Sequence, residues 1–210
     1  MTDLLALFTI LGALLIGAVS PGPSFVFVVR TAVAQSRAEG LAAALGMGVG
    51  AFIYGSLAVL GLRTLIAEGG ILFMALKIAG GVYLAYLAWK IWQGAPEPVS
   101  VQHGGARQVN ALRAFWLSLL TQLSNPKIIA VFGAVFAALL PANPPVWLYF
   151  ALPPLIFLQE TAWYGIVALA FSSARPRAMY LGAKLWIDRI AAALIGVLGV
   201  RLVYEAVVKP

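Results

Sequence analysis

The sequence contains no cysteine, which excludes disulfides, thiolate metal sites and thiol redox chemistry. It has a single histidine, and no group of His and carboxylate residues shows the spacing of metal ligands. No nucleophile lies beside a base in the sequence, so we expect no enzymatic activity, no cofactor and no metal. Charged residues are also scarce, at 10% of 210 positions, whereas 62% are hydrophobic. This composition is incompatible with an ordinary soluble domain and indicates a polytopic protein of the lipid bilayer.

Six apolar runs are long enough to cross a hydrocarbon core, which takes about 20 residues. They are residues 4–29, 41–62, 71–92, 114–140, 145–172 and 186–208. The sequence therefore predicts an all-α fold with six transmembrane helices.

The net charge of +7 comes from basic residues at the ends of these runs, so membrane topology explains it better than nucleic-acid binding. With the N-terminus outside, only two basic residues fall in outer loops, Arg63 and Lys209. Nine fall in inner loops: Arg30, Arg37, Lys90, Arg107, Arg113, Arg175, Arg177, Lys184 and Arg189. Because Lys and Arg concentrate on the cytoplasmic side, both termini are predicted to lie outside.

A polar stretch rich in proline and glycine, residues 93–113, divides the chain and carries the one histidine, His103. It is typical of a flexible linker, here a cytoplasmic one, and we expect no role for His103. The linker leaves three spans in residues 1–92 and three in residues 114–210. Because three is odd, the second triplet must be inverted relative to the first, which predicts the inverted repeats of many secondary transporters.

The first span is interrupted by the sequence Ser20, Pro21, Gly22 and Pro23. The prolines remove two backbone donors and clash with the preceding turn, while Gly22 leaves the backbone free to unwind. Ser20 is a capping residue followed directly by proline, a pattern that predicts the start of a new helix.

The fourth span contains a second interruption, formed by Ser124, Asn125, Pro126 and Lys127. It too begins with capping residues, Ser124 or Asn125, followed by proline. In hydrocarbon, freed backbone groups are tolerated only where they face protein or a water-filled cavity. Paired breaks in the two halves therefore predict a transport site formed by both.

Two charges, Lys127 and Glu160, are expected near the middle of the membrane, and Glu160 is the only acidic residue placed there. They could form a structural ion pair, or they could act in transport. Lys127 and two helix N-termini favour a carboxylate. Glu160, Trp163 through a cation–π contact, and the unwound carbonyls favour an ammonium. A zwitterionic amino acid presents both groups, and Glu160 is the candidate for proton coupling; packing alone is the alternative for Trp163.

Small residues recur at helical spacing in the second and sixth spans. Ala42, Gly46 and Gly50 follow one another at four-residue intervals, and Gly196 and Gly199 lie in the last span. We expect these positions to be close helix–helix contacts.

Several motifs resemble those of the LysE/RhtB family of amino-acid exporters. They are SPGP at 20–23, the stretch 40–50, KIAGGVYL at 77–84, NPK at 125–127, WY at 163–164 with AL at 168–169, and IDR at 187–189. The resemblance covers nearly the whole chain. It implies efflux across the bacterial inner membrane, driven by the proton motive force.

The sequence as a whole thus predicts a proton-linked antiporter that exports amino acids or close derivatives, neutral ones in particular. The expected partners are the amino acid and the lipid bilayer, without nucleic acid, and a homo-oligomer is left open. Two alternatives are an exporter of another small metabolite and a membrane assembly or scaffold subunit.

Overall fold

The computed structural model of the protein describes residues 3–68, 71–97, 109–141 and 143–208, and the regular secondary structure in this part of the chain is helical. Within these residues, eight helices follow one another: α1 (Asp3–Val19), α2 (Pro23–Ala34), α3 (Arg37–Glu68), α4 (Ile71–Gly94), α5 (Ala111–Leu123), α6 (Pro126–Leu139), α7 (Val146–Phe171) and α8 (Ala174–Val208). The described residues contain no strand, and the all-α prediction is confirmed for them. His103 and most of the predicted linker lie outside the described residues, so the division into two halves stays a prediction.

Three stretches of single helix are long and apolar enough to cross a membrane: Arg37–Gly61, Val146–Phe171 and Ala178–Val208. Two bent pairs, α1 with α2 and α5 with α6, bring the number of candidate spans in the described residues to five. The remaining predicted span, residues 71–92, corresponds to α4, and its crossing of the membrane stays a prediction. Phe150, which is 75% exposed, is one of many large apolar side chains on the outer surface. Such a surface suits contact with lipid.

Both predicted interruptions are present. The chain bends by 59° between α1 and α2 and by 57° between α5 and α6. Each new helix has a proline in its first turn, where the missing N–H is not needed for the helical ladder.

The last helix is longer than expected, because α8 begins at Ala174 rather than at Trp186. The predicted start was wrong because this stretch is polar and was read as an inner loop. Its residues nevertheless favour a helix, and Lys184 and Asp188 form an i,i+4 ion pair at 2.8 Å within it. Lys184 therefore belongs to a helix, not to a loop.

Helix α3 packs chiefly against α7 and α5, and α4 packs against α8 and α6. The small residues of α3 lie at these contacts, as predicted. A Cβ added to Gly46 would lie 2.0 Å from Ser118 Oγ in α5, and one added to Gly48 would lie 1.9 Å from Thr161 Oγ1 in α7. Such distances leave no room for a side chain, so glycine is required there for the helices to approach.

The contact between α4 and α8 has the same basis. A Cβ added to Gly199 would lie 2.7 Å from the carbonyl oxygen of Gly81, and the reverse distance is the same. The prediction of close packing is thus confirmed for Gly199, while Gly196 lies against Ala88 at a looser 3.4 Å.

Candidate functional site

The first break is the three-residue stretch between Val19 and Pro23. Gly22 is the residue that precedes α2, with an extended backbone at φ −154° and ψ −172°, and it offers no side-chain cap. The prediction that Ser20 caps the new helix is wrong, because Ser20 lies two residues further from its start than a capping side chain does. Helix α2 therefore begins with an N-terminus that the preceding residue leaves uncapped.

The carbonyl groups at the other side of this break are bound by side chains that come from the second half of the chain. The three donors are Trp163 Nε1 of α7 to Ala18 O at 3.2 Å, Tyr180 OH of α8 to Val19 O at 3.3 Å, and Lys127 Nζ of α6 to Ser20 O at 2.6 Å. Carbonyls at a helix end lack partners within the helix, and an apolar surrounding makes that costly. Three helices thus satisfy the end of α1.

The second break has a side-chain cap of its own, and the hydroxyl of Tyr54 in α3 donates to the carbonyl of Leu123 at the end of α5. Asn125 caps α6, since its Oδ1 accepts a hydrogen bond from the backbone N–H of Lys127 at 3.0 Å. Its Nδ2 donates to Ser24 Oγ at 2.8 Å, and that hydroxyl donates to Gln122 Oε1 at 2.6 Å. The structure does not bring Ser124 into this network. Its exposed hydroxyl donates back to the carbonyl of Leu120 at 2.7 Å.

A cavity of about 620 Å³ lies between the breaks, the second half of α4 and the first half of α8. Seven of the predicted site residues line it: Ser20, Pro21, Gly22, Pro23, Asn125, Pro126 and Lys127. From the breaks it extends to Gly94 and to the exposed Glu97, at the end of the molecule where α4 ends and α8 begins. The two interruptions, about 100 residues apart in sequence, therefore share one cavity.

Three of the predicted site residues, Ser124, Glu160 and Trp163, do not line this cavity. Glu160 is only 1% exposed, and neither carboxylate oxygen has a hydrogen-bond partner among the described residues. Lys127 bonds to the carbonyl of Ser20 and not to Glu160. The ion pair that would hold the fourth and fifth spans together is thus not formed as a direct contact. The indole N–H of Trp163 donates to the carbonyl of Ala18, as described above.

A second buried acid, which was not singled out from the sequence, does line the cavity. Asp188 is 4% exposed and lines the cavity together with its partner Lys184. Lys184 Nζ also donates to the carbonyls of Gly94 and Ala95, both at 3.1 Å, and so ties α8 to the end of α4. The i,i+4 spacing of Lys184 and Asp188 was the available signal. It was hidden because the stretch was read as a loop.

Tyr83 and Tyr86 of α4 also line the cavity and were not singled out from the sequence. The hydroxyl of Tyr83 points at the carbonyl of Pro126 at 3.5 Å, and Lys90 Nζ lies 5.7 Å from the ring centre of Tyr86. Both tyrosines offer an aromatic wall opposite the breaks.

These features define a multi-pass helical membrane protein with a polar cavity between two broken helices. The family model described as LysE type translocator matches residues 15–206. The chain belongs to this family, whose members are transporters and not enzymes, so the resemblance noted in the sequence is confirmed.

Relatives among curated proteins agree with this assignment. The chain is 33% identical to the threonine efflux protein of Escherichia coli (strain K12) over 191 residues, which are 90% of this chain and 93% of the relative. It is 31% identical over 216 residues to the membrane protein YahN of the same strain, covering 100% of this chain and 94% of the relative. It is 31% identical to the leucine efflux protein of Klebsiella pneumoniae over 126 residues, 59% of this chain and 58% of the relative. No solved structure matches the chain.

Proposed function

We propose that this protein exports neutral amino acids, or close derivatives of them, across the bacterial inner membrane in exchange for protons. The observation that carries the proposal is the single cavity lined by both helix breaks. Discontinuous helices place backbone groups and helix ends at the substrate sites of secondary transporters. Two of the relatives are a threonine efflux protein and a leucine efflux protein, which supports an amino acid as the substrate.

The cavity suits a small zwitterion. Its volume lies within the range of about 300–1,000 Å³ that is usual for small-molecule sites. Lys127 and the N-terminus of α2 attract a carboxylate. The charged lining residues are Lys90, Lys127 and Lys184 against Glu97 and Asp188, so there is no surplus of negative charge. A dicationic amino acid would be disfavoured there, whereas a neutral one would not.

Inverted repeats remain part of the proposal, and the packing supports them. The bends of 59° and 57° fall in corresponding spans, one in each half. Helix α3 packs on its counterpart α7, and α4 packs on its counterpart α8. The contact of α1 with α6 has a counterpart in the contact of α2 with α5.

The proposed orientation puts both termini outside, as the distribution of basic residues predicts. The cavity then opens towards the cytoplasm, because it extends to the end of α4 and the start of α8. The structure would correspond to the conformation that collects substrate for export. A reporter that is active only in the cytoplasm, fused to the C-terminus, should give no signal. A strong signal would reverse the orientation and make the conformation an outward-facing one.

Glu160 is proposed to take up and release the coupling proton. Its two oxygens have no partner among the described residues, and a buried carboxylate of this kind costs least when it is protonated. Its neighbour one turn away, Trp163, is bonded to the end of α1 at Ala18. A movement of that end during opening to the other side would change the surroundings of Glu160 and allow the proton to leave.

The decisive experiment is export of labelled threonine and leucine in proteoliposomes, with and without an imposed pH gradient. We expect transport by the purified protein to rise when the gradient drives protons against the substrate flux. Glu160→Gln should keep the fold and the shape of the side chain while losing the response to the gradient, because an amide does not titrate.

The matched control is Glu205→Gln, which neutralises a half-buried acid that pairs with Arg201 at 2.7 Å. It should leave gradient-driven export intact. Absence of transport for all amino acids tested would overturn the proposed function. Full gradient dependence in Glu160→Gln would overturn the coupling role alone.

A further inference from the structure

We propose that Asp188 binds the ammonium group of the substrate, while Lys127 and the start of α2 bind its carboxylate. This inference rests on the proposed function and gives its substrate a defined orientation. It also replaces Glu160 and Trp163, which the sequence suggested for the ammonium and which do not line the cavity.

One carboxylate oxygen of Asp188 accepts a hydrogen bond, and the other does not. Oδ2 accepts from Lys184 Nζ at 2.8 Å, whereas Oδ1 is buried and has no hydrogen-bond partner among the described residues. Leaving a buried charged acceptor unpaired is costly, so such groups are normally bound. Because Asp188 lines the cavity, a donor from a ligand can complete it.

Lys184 cannot compete for that ligand. An ammonium has three donors, and Lys184 Nζ uses them on the carbonyls of Gly94 and Ala95 and on Asp188 Oδ2. Its charge is committed to the wall of the cavity. The one group of this ion pair without a partner is therefore an acceptor, Asp188 Oδ1. It favours a cation that has hydrogen-bond donors, such as a primary ammonium.

The opposite pole lies at the first break. Lys127 Nζ makes one hydrogen bond, to Ser20 O, and two of its donors have no partner among the described residues. The side chain of Lys127 lies against Gly22, and its Cδ is 3.2 Å from the position that a Cβ on Gly22 would occupy. Ser20, whose buried Oγ has no hydrogen-bond partner among the described residues, lines the same cavity. Lys127 also interacts electrostatically with Asp188 and Glu160.

Donors without acceptors therefore gather at the break, and an acceptor without a donor lies on α8. The N-terminus of α2 adds partial positive charge at the first of these two poles. A molecule with a carboxylate and an ammonium satisfies both at once. A substrate lacking the ammonium would leave Asp188 Oδ1 unpaired.

The test measures binding to the purified full-length protein by calorimetry, with leucine, threonine and the N-acetyl derivative of each. The wild type should bind the free amino acid at least tenfold more tightly than the acetylated form. Asp188→Asn should lower the affinity for the amino acid at least tenfold, to the level of the acetylated form, whose own affinity should not change. Glu205→Gln removes an acid that pairs with Arg201 and lies outside this cavity, and it should keep the wild-type preference.

The outcomes separate the two proposals. No binding of any amino acid by the wild type would overturn the proposed function and this inference with it. Wild-type preference retained in Asp188→Asn would overturn the inference alone. If Asp188→Asn does not accumulate, the double variant Asp188→Asn with Lys184→Gln takes its place, since it neutralises both members of the ion pair. The same loss of preference for the free amino acid over the acetylated form is expected. Wild-type preference in that variant would overturn the inference. Failure of both variants to fold would also overturn it, since Asp188 would then be a structural residue.

Discussion

The two helix breaks bend the chain by nearly the same angle, but their ends are satisfied in different ways. At the second break, Asn125 caps the helix to which it leads, and the carbonyl of Leu123 at the end of α5 accepts a hydrogen bond from Tyr54 of α3. At the first break, three carbonyls depend on side chains from α6, α7 and α8, and the new helix begins without a side-chain cap. The second break thus has a side-chain cap of its own, whereas the first one has none and depends on the position of three other helices.

This difference indicates which break takes part in the conformational change. A segment held by contacts from three elements changes its energy whenever one of those elements moves. A segment that has its own capping residue depends less on such contacts. We therefore expect the first break to be rearranged during transport, with the second as a fixed reference.

The largest effect is expected from removing the prolines. Proline inside a helix costs about 3 kcal/mol, so Pro21→Ala with Pro23→Ala should favour one continuous helix. Export should be lost while the protein still accumulates. Pro126→Ala should be milder, because Asn125 still caps α6. Transport assays in proteoliposomes measure both variants, and equal losses would remove the distinction between the breaks.

The next effect concerns Lys127, which connects the two breaks. Lys127→Met leaves the carbonyl of Ser20 without its donor, at a cost of about 1–3 kcal/mol in the free energy of unfolding. Export should fall at least tenfold, because the cavity also loses its charge at the carboxylate pole. Arg201→Met is the control, since an exposed i,i+4 pair contributes only about 0.3–0.5 kcal/mol. Comparable export by both variants would contradict the assigned role of Lys127.

A smaller effect is expected at the second break. Asn125→Ala removes the cap of α6, which is worth about 0.5–2 kcal/mol. The melting temperature in detergent should fall, and the affinity for substrate should change less than in Lys127→Met. Asn125→Asp keeps an acceptor for the backbone N–H of Lys127 and should recover most of the loss. No recovery would show that the contact of Asn125 with Ser24 matters more than the cap.

The smallest effects should come from the two remaining donors at the first break. Trp163→Phe and Tyr180→Phe each remove one neutral hydrogen bond, worth about 1 kcal/mol, and keep the aromatic ring. Each variant should transport with an altered rate and nearly unchanged affinity. Rates measured against substrate concentration separate the two quantities. A large loss of affinity would place these side chains in the binding site instead.

Much of the helical framework could be read from the sequence. The breaks were predictable because proline and glycine act on the backbone where they stand, whatever surrounds them. The close contacts at Gly46 and Gly199 were predictable because small residues at helical spacing have few other uses in membrane helices. The start of α8 was not, since a polar stretch looks the same in a loop and in a helix that lines a cavity.

Which side chains line the cavity could be identified only from the tertiary structure. Lys127 and Glu160 were both placed near the middle of the membrane from their depth in the spans, but depth does not specify the direction of a side chain. Only the packing of α6 against α1 directs Lys127 to the carbonyl of Ser20. Only the packing of α8 against α4 brings Asp188 into the cavity, whereas Glu160, on α7, lies outside it.

The sequence by itself thus determined the approximate positions of most helices, the places where two of them break and that the protein belongs in a membrane, because these follow from local backbone chemistry and from hydrophobicity. The tertiary structure decided which polar groups meet. Ser24 and Gln122 are 98 residues apart in the chain, yet Ser24 Oγ lies 2.6 Å from Gln122 Oε1. No local sequence pattern encodes this contact. The distribution of free donors and acceptors around the cavity has the same origin, because it depends on which helices pack against one another.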